Sequence, residues 1–228
     1  MRKIISAILL VIIAGGITLS IMEIPFGVNK AKVGEYYINH GREETGAINI
    51  VTSVVLNYRG FDTLGEVTIL FLAALSVGAA LSFSKKKNDK KEKLEPASLI
   101  LYTGCRFLFP ILLLVGSYIF IHGHLTPGGG FQGGAIIASA YLLIYLSFHG
   151  KRINEKYSKL IESLSGLIFI ALGLIGLVIG GGFLFNYLPK GTLGTLFSAG
   201  IIPIIYIAIG LKVGSELTGI INNLIEES

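Results

Sequence analysis

Two carboxylates, Asp62 and Glu66, stand four residues apart with Arg59 one turn before them, and Lys212 stands four residues before Glu216. On a helix, residues spaced i to i+4 share a face, so each set places ionisable groups side by side. The carboxylate pair would hold a dehydrated sodium ion, or take up and release a proton. The same residues also suit an ion-paired helix start, with Asp62 or Thr63 as N-cap and Glu66 near the first turn. Glu66 is the deeper of the two, among Leu64, Val67 and Ile69. A charge in lipid is costly enough to be kept for ion paths or for pairing. Snorkelling to the inner interface accounts for Lys212 and Glu216 without function. Arg106, inside an apolar stretch, reaches either the headgroups or a carboxylate on a neighbouring helix. His122 and His124, at i and i+2 with no third ligand nearby, make a poor metal site and suit hydrogen bonds to loop carbonyls.

The elements that must position these residues are apolar. Hydrophobic residues make up 52% of the chain and charged ones 14%, with a mean hydropathy of +0.73. That composition excludes a soluble domain and fits an all-α integral membrane protein. Windows of about 20 apolar residues, the length that crosses a bilayer as a helix, recur at 4–22, 64–83, 98–121, 130–148, 160–183 and 193–217. The first reads as a span rather than a signal peptide, because its apolar run exceeds a typical h-region and no small-x-small cleavage site follows. The expected fold is therefore six transmembrane helices. Within the long connection at 23–63, the stretch 45–57 carries Ile48, Val51, Val54 and Val55 at helical spacing. It predicts a short external amphipathic helix, lying on the membrane or re-entering it.

Basic residues set the expected orientation. Arg2, Lys3, Lys85, Lys86, Lys87, Lys90, Lys91, Lys93, Lys151, Arg152, Lys156 and Lys159 fall on one side, against Lys30, Lys32, Arg42, Arg59 and Lys190 on the other. By the positive-inside rule both termini are cytoplasmic. The net charge of +5 is then a topology signal rather than a nucleic-acid footprint. The run at 85–97 is a charged cytoplasmic linker, and Pro96 suits the first turn of the next helix. It separates a two-helix module (1–84) from a four-helix module (98–228). With Cys105 as the sole cysteine, an internal disulfide is impossible and a cysteine-ligated zinc or iron-sulfur site built by this chain alone is not expected.

The connection between the third and fourth windows, His122-Gly123-His124-Leu125-Thr126-Pro127-Gly128-Gly129-Gly130-Phe131-Gln132-Gly133-Gly134, is the densest run of conformationally special residues in the chain. Its glycines predict tight turning and close backbone approach. Gly130-x-x-x-Gly134 and Gly176-x-x-x-Gly180 are spacings that let helices pack closely.

This loop, together with Arg106-Phe107-Leu108-Phe109-Pro110, resembles the signature of the B subunit of Mrp-type cation/proton antiporters, over the four spans of 98–217. The run Arg59-Gly60-Phe61-Asp62-Thr63-Leu64-Gly65-Glu66 is similar to the C-terminal part of the large A subunit, which archaeal membrane-bound hydrogenases carry as a separate small subunit. The fused arrangement resembles that of the archaeal membrane-bound sulfane sulfur reductase complexes. What the resemblance implies is a non-redox, non-catalytic subunit of an ion-translocating membrane arm in the cell membrane. It would bind no cofactor, with Na+ or H+ as the transported ion. Its partners would be the other A-, C-, D-, E-, F- and G-like membrane subunits and a redox arm. Glu66 would handle the ion with Asp62 in support, and Arg59, Lys212 and Glu216 are further pathway candidates. The loop, with His122, His124, Pro127, Gly128, Gly129, Gly130, Gly133 and Gly134, would be an external packing element bordering the ion exit.

Overall fold

The computed structural model describes residues 2–22, 32–84, 98–148 and 154–227, and every regular element among them is helical. The lysine-rich linker at 85–97 with Pro96, and Lys30, Lys151 and Arg152, lie outside the described residues. The chain divides into two compact units, Met1–Glu35 and Tyr36–Ser228.

The first unit holds α1 (Arg2–Met22) and the start of α2 (Lys32–Thr45). In the second, α3 (Ile50–Thr52) runs into a π-helical turn (Ser53–Tyr58), followed by α4 (Gly60–Ser84), α5 (Leu99–Ile121), α6 (Gly130–Ser147), α7 (Glu155–Gly180) and α8 (Ile202–Glu227). Helices α4 to α8 each contain a stretch long and apolar enough to cross a bilayer, so five candidate spans are present among the described residues. The stretch in α1, Ala7–Met22, is shorter than these.

Helix α8 is the centre of the second unit and packs against α6, α7, α4 and α5. Half of its apolar stretch is buried, against 6% of that in α4. Most of the α4 surface is therefore left for lipid or for other chains. The core gathers Ile202, Ile205, Ile209 and Val213 of α8 with Ile201 just before it and with Phe169, Leu184, Leu56 and Val67.

The last span lies further along the chain than the expected 193–217. Gly191, Gly194, Ala199 and Gly200 all have positive φ, which an α-helix does not tolerate. Asn186 fixes the break, because its Oδ1 accepts from the Ile201 N–H at 3.0 Å and its Nδ2 donates to the Ala199 carbonyl. Helix α8 starts only after this anchor and continues to Glu227.

The amphipathic segment is also present, as α3 and the π-helical turn. Val51 and Ile48 are exposed, while Thr52, Ser53 and Leu56 are buried. Polar side chains win the inward positions because each finds a partner there. Thr45 and Ser53 share a hydrogen bond of 2.7 Å, and Thr52 bonds to the Gly123 carbonyl at 2.8 Å. A preceding helix, α2, was not apparent from the apolar spacing.

Candidate ion site

The structure separates the ionisable residues into two places. At the first, α4 begins at Gly60, so neither Asp62 nor Thr63 is its N-cap. Thr63 instead donates to the Val55 carbonyl at 2.6 Å, tying the first turn of α4 to the π-helical turn. Asp62, within that first turn, suits the positive end of the helix dipole. It pairs with Arg59 at 2.6 Å, and both side chains are largely exposed. Glu66 is exposed as well and has no hydrogen-bond or ion partner among the described residues. It lies six residues past the start of the span, about 9 Å along the helix, on a face that the chain itself leaves bare. Arg106 is likewise exposed on α5.

At the second place, Lys212 and Glu216 do not snorkel. Because α8 is shifted along the chain, Glu216 lies nine residues from the end of the span at Ile225, about 13 Å inside it. Lys212 is 9% exposed and Glu216 2%. The Lys212 ammonium is 2.5 Å from Glu216 Oε1 and 5.1 Å from the centre of the Phe71 ring on α4. Its stem passes Gly166 of α7, where a Cβ would come within 3.5 Å. Glu216 Oε2 is buried and has no hydrogen-bond partner among the described residues. A buried ion pair repays its desolvation only when the remaining lone pairs are also satisfied, and here one oxygen is not. Beside the pair is a groove of about 340 Å³ lined by α4, α6, α7 and α8, with Lys159, Glu162, Glu216, Asn222 and Asn223 on its wall.

The glycine-rich loop has neither set in it. His122 is partly exposed, stacked on Tyr118 with ring centres 4.2 Å apart. His124 is fully buried, with no well-formed hydrogen bond at either ring nitrogen. Burial lowers its pKa, and the nearby Thr195 and Leu196 backbone only partly offsets this. The glycines serve contact. A Cβ on Gly133 would meet the Gly116 carbonyl at 2.5 Å, and one on Gly130 would meet Ile209 at 2.6 Å. Helices α5 and α8 therefore approach α6 at backbone distance.

Residues 100–219, more than half of the chain, match the family model described as a domain related to the MnhB subunit of Na+/H+ antiporters. This chain belongs to the MnhB-related family. Residues 1–93 match a second family model, MbhE, which describes the E component of MBH. An uncharacterized protein of Methanocaldococcus jannaschii is 33% identical over 88% of this chain and 82% of its own length. The B component of the Na+/H+ antiporter of Alkalihalophilus pseudofirmus is 37% identical over 42% of this chain and 69% of its own. Among solved structures, a chain of the membrane-bound sulfane sulfur reductase, an archaeal respiratory membrane complex, matches at 49% identity and TM-score 0.78 over 98% of both chains. A chain of the Mrp complex from Dietzia matches at 25% identity and TM-score 0.70, over 98% of this chain and 26% of that one.

Within this MnhB-related multi-pass membrane protein, sequence reasoning missed the residues that fasten the loop. Asn49 Nδ2 donates to the carbonyls of Gly123 at 2.9 Å and Thr126 at 3.1 Å, and its backbone N–H donates to the His124 carbonyl. Thr52 adds its bond to Gly123. Asn49 also caps α3, and an asparagine before an apolar helical run was the signal available. A second missed cluster surrounds Glu44, whose carboxylate accepts from the hydroxyls of Tyr36, at 2.5 Å, and Tyr58. These bonds lower the Glu44 pKa. Burial, followed by the bond to Glu44, raises that of Tyr58.

Proposed function

We propose that this chain is a non-redox, non-catalytic subunit of a sodium- or proton-translocating membrane arm. Membership of the MnhB-related family makes it a membrane subunit of an Mrp-type module. Its likeness over 98% of its length to a chain of the sulfane sulfur reductase complex favours a redox-coupled archaeal assembly of that type. The likeness to the Mrp complex supports a stand-alone cation/proton antiporter as the alternative assembly. In this reading α1 is a sixth crossing in the cell membrane, both termini are cytoplasmic, and the glycine-rich loop faces outward. The chain fuses an A-subunit-like module (1–84) to a B-subunit-like module (98–228) through a cytoplasmic linker. It holds no cofactor of its own, and its partners are further Mrp-like subunits and a redox arm.

Glu66 carries the reading. A carboxylate nearly two turns inside a span, exposed on the bare face of α4, is costly in lipid. Burial against a neighbouring subunit gives it the polar surroundings of an ion path, with the Arg59–Asp62 pair at its mouth. Replacing Glu66 by Gln in the intact complex removes sodium-dependent ion transport while assembly persists. Unchanged transport overturns the proposal.

A structural clamp is the second reading, favoured by the bonds from Asn49 and Thr52 to the glycine-rich loop. In that reading the chain holds two neighbouring subunits together, and carboxylate substitutions leave transport intact.

A further inference from the structure

We propose that Glu216 is a proton-exchange site within the membrane, loaded through the groove beside α8 and held ready by Lys212. This rests on the reading that the subunit stands in an ion-translocating arm, but it concerns a buried pair on α8 rather than the exposed Glu66 of α4. Three observations carry it. Glu216 sits about 13 Å inside its span, with a fully buried side chain. One of its oxygens is held by the Lys212 ammonium at 2.5 Å while the other has no hydrogen-bond partner among the described residues. The residue also lines a groove that reaches from the pair to Asn222 and Asn223 and to the first turns of α7. A buried carboxylate that needed only structural pairing would have both oxygens satisfied.

The surroundings favour a proton over a metal cation. The α8 hydroxyls on the groove wall are committed to backbone carbonyls, Ser215 to Leu211 and Lys212, and Thr218 to Gly214. A second metal-sized cation would also face the Lys212 ammonium across the same carboxylate. A proton has no such difficulty. Hydronium in the groove gives its proton to Oε2 and leaves as water, and the ion pair becomes a bond between an ammonium and a neutral acid. Lys212 keeps its charge against the Phe71 ring. On release the proton returns to groove water and the pair re-forms. The other titratable groups facing this place are Glu162 and Lys159 from α7 and Tyr145 from α6, while α4 contributes Phe71, Ala74 and Leu75. Glu162 raises the local proton concentration at the groove wall.

A hydrophobic carbodiimide provides the test, because it adds to a buried carboxyl only when that carboxyl carries a proton. The intact wild-type complex is treated with dicyclohexylcarbodiimide across a pH series, with and without sodium, and modified peptides are mapped by mass spectrometry. Glu216 is expected to be modified, increasingly as pH falls, and without protection by sodium. In parallel, the complex carrying Glu216→Gln is expected to lose proton uptake into vesicles. Absence of modification at every pH, protection by sodium, or full proton uptake by the variant overturns the proposal. If the variant does not assemble, the wild-type labelling decides alone. Normal transport by Glu66→Gln, with Glu216 still labelled, removes the role of Glu66 and leaves this site standing.

Discussion

The hydroxyls of Thr52 and Tyr206 meet at 2.8 Å, joining positions 154 residues apart. Thr52 donates in turn to the Gly123 carbonyl, so one hydroxyl connects the π-helical turn region, the glycine-rich loop and α8. Thr52→Val is expected to leave the buried Tyr206 hydroxyl without its Thr52 partner, at a cost of about 1–3 kcal/mol, while the Gly123 carbonyl keeps its bond from Asn49. Thermal unfolding of the purified chain in detergent measures the loss. Thr52→Ser, which keeps the hydroxyl, stays near wild type.

The contact between α5 and α6 depends on the absence of a side chain at Gly133. Gly133→Ala places a methyl 2.5 Å from the Gly116 carbonyl, backbone against backbone, and is expected to destabilise by about 1–3 kcal/mol as overpacking does. Gly104→Ala, with nothing within 4 Å of the new Cβ, is the control and leaves the unfolding midpoint unchanged or slightly raised.

The cluster around Glu44 makes a two-sided pH prediction. The Glu44 pKa is lowered in the fold, so its contribution is present above the ordinary carboxylate value and disappears as pH falls through the lowered one. The Tyr58 pKa is raised, so its contribution is complete below the ordinary phenol value and lost as pH rises through the raised one. An ultraviolet titration of phenolate is expected to show Tyr58 ionising late. Glu44→Gln brings it part of the way back, because burial, the larger cause, remains.

Noncovalent contacts also hold the two halves together across the linker. With α4 packed on α8 and Asn49 bonded to the Gly123 and Thr126 carbonyls, co-expressed chains 1–88 and 89–228 are expected to purify as one species. Replacing Asn49 by Ala and Thr52 by Val together reduces the yield of the smaller chain in an affinity pull-down on the larger.

Much of the membrane architecture was legible because hydropathy is a sum over many residues. The start of α6 at Gly130 and the end of α5 at Ile121 coincide with the sequence windows. The last span was misplaced because the break before it rests on backbone angles and on one side chain, Asn186, neither of which a hydropathy window registers. That shift moved Lys212 and Glu216 from an expected inner end to the interior. The residues by which the 45–57 segment attaches to the rest of the fold were not legible for a related reason. Apolar spacing marks Ile48 and Val51, which stay exposed, whereas the neighbour inside the fold is a row of loop carbonyls that prefer Thr52 and Asn49. The exposure of Glu66 was equally hidden, since α4 is apolar on nearly every side and its pattern names no preferred face.

That even apolarity has a consequence for the cell. A helix with 6% of its apolar stretch inside its own chain is covered by lipid or by neighbouring subunits, so copies made in excess of those neighbours would turn Glu66 toward lipid, where a carboxylate is costly.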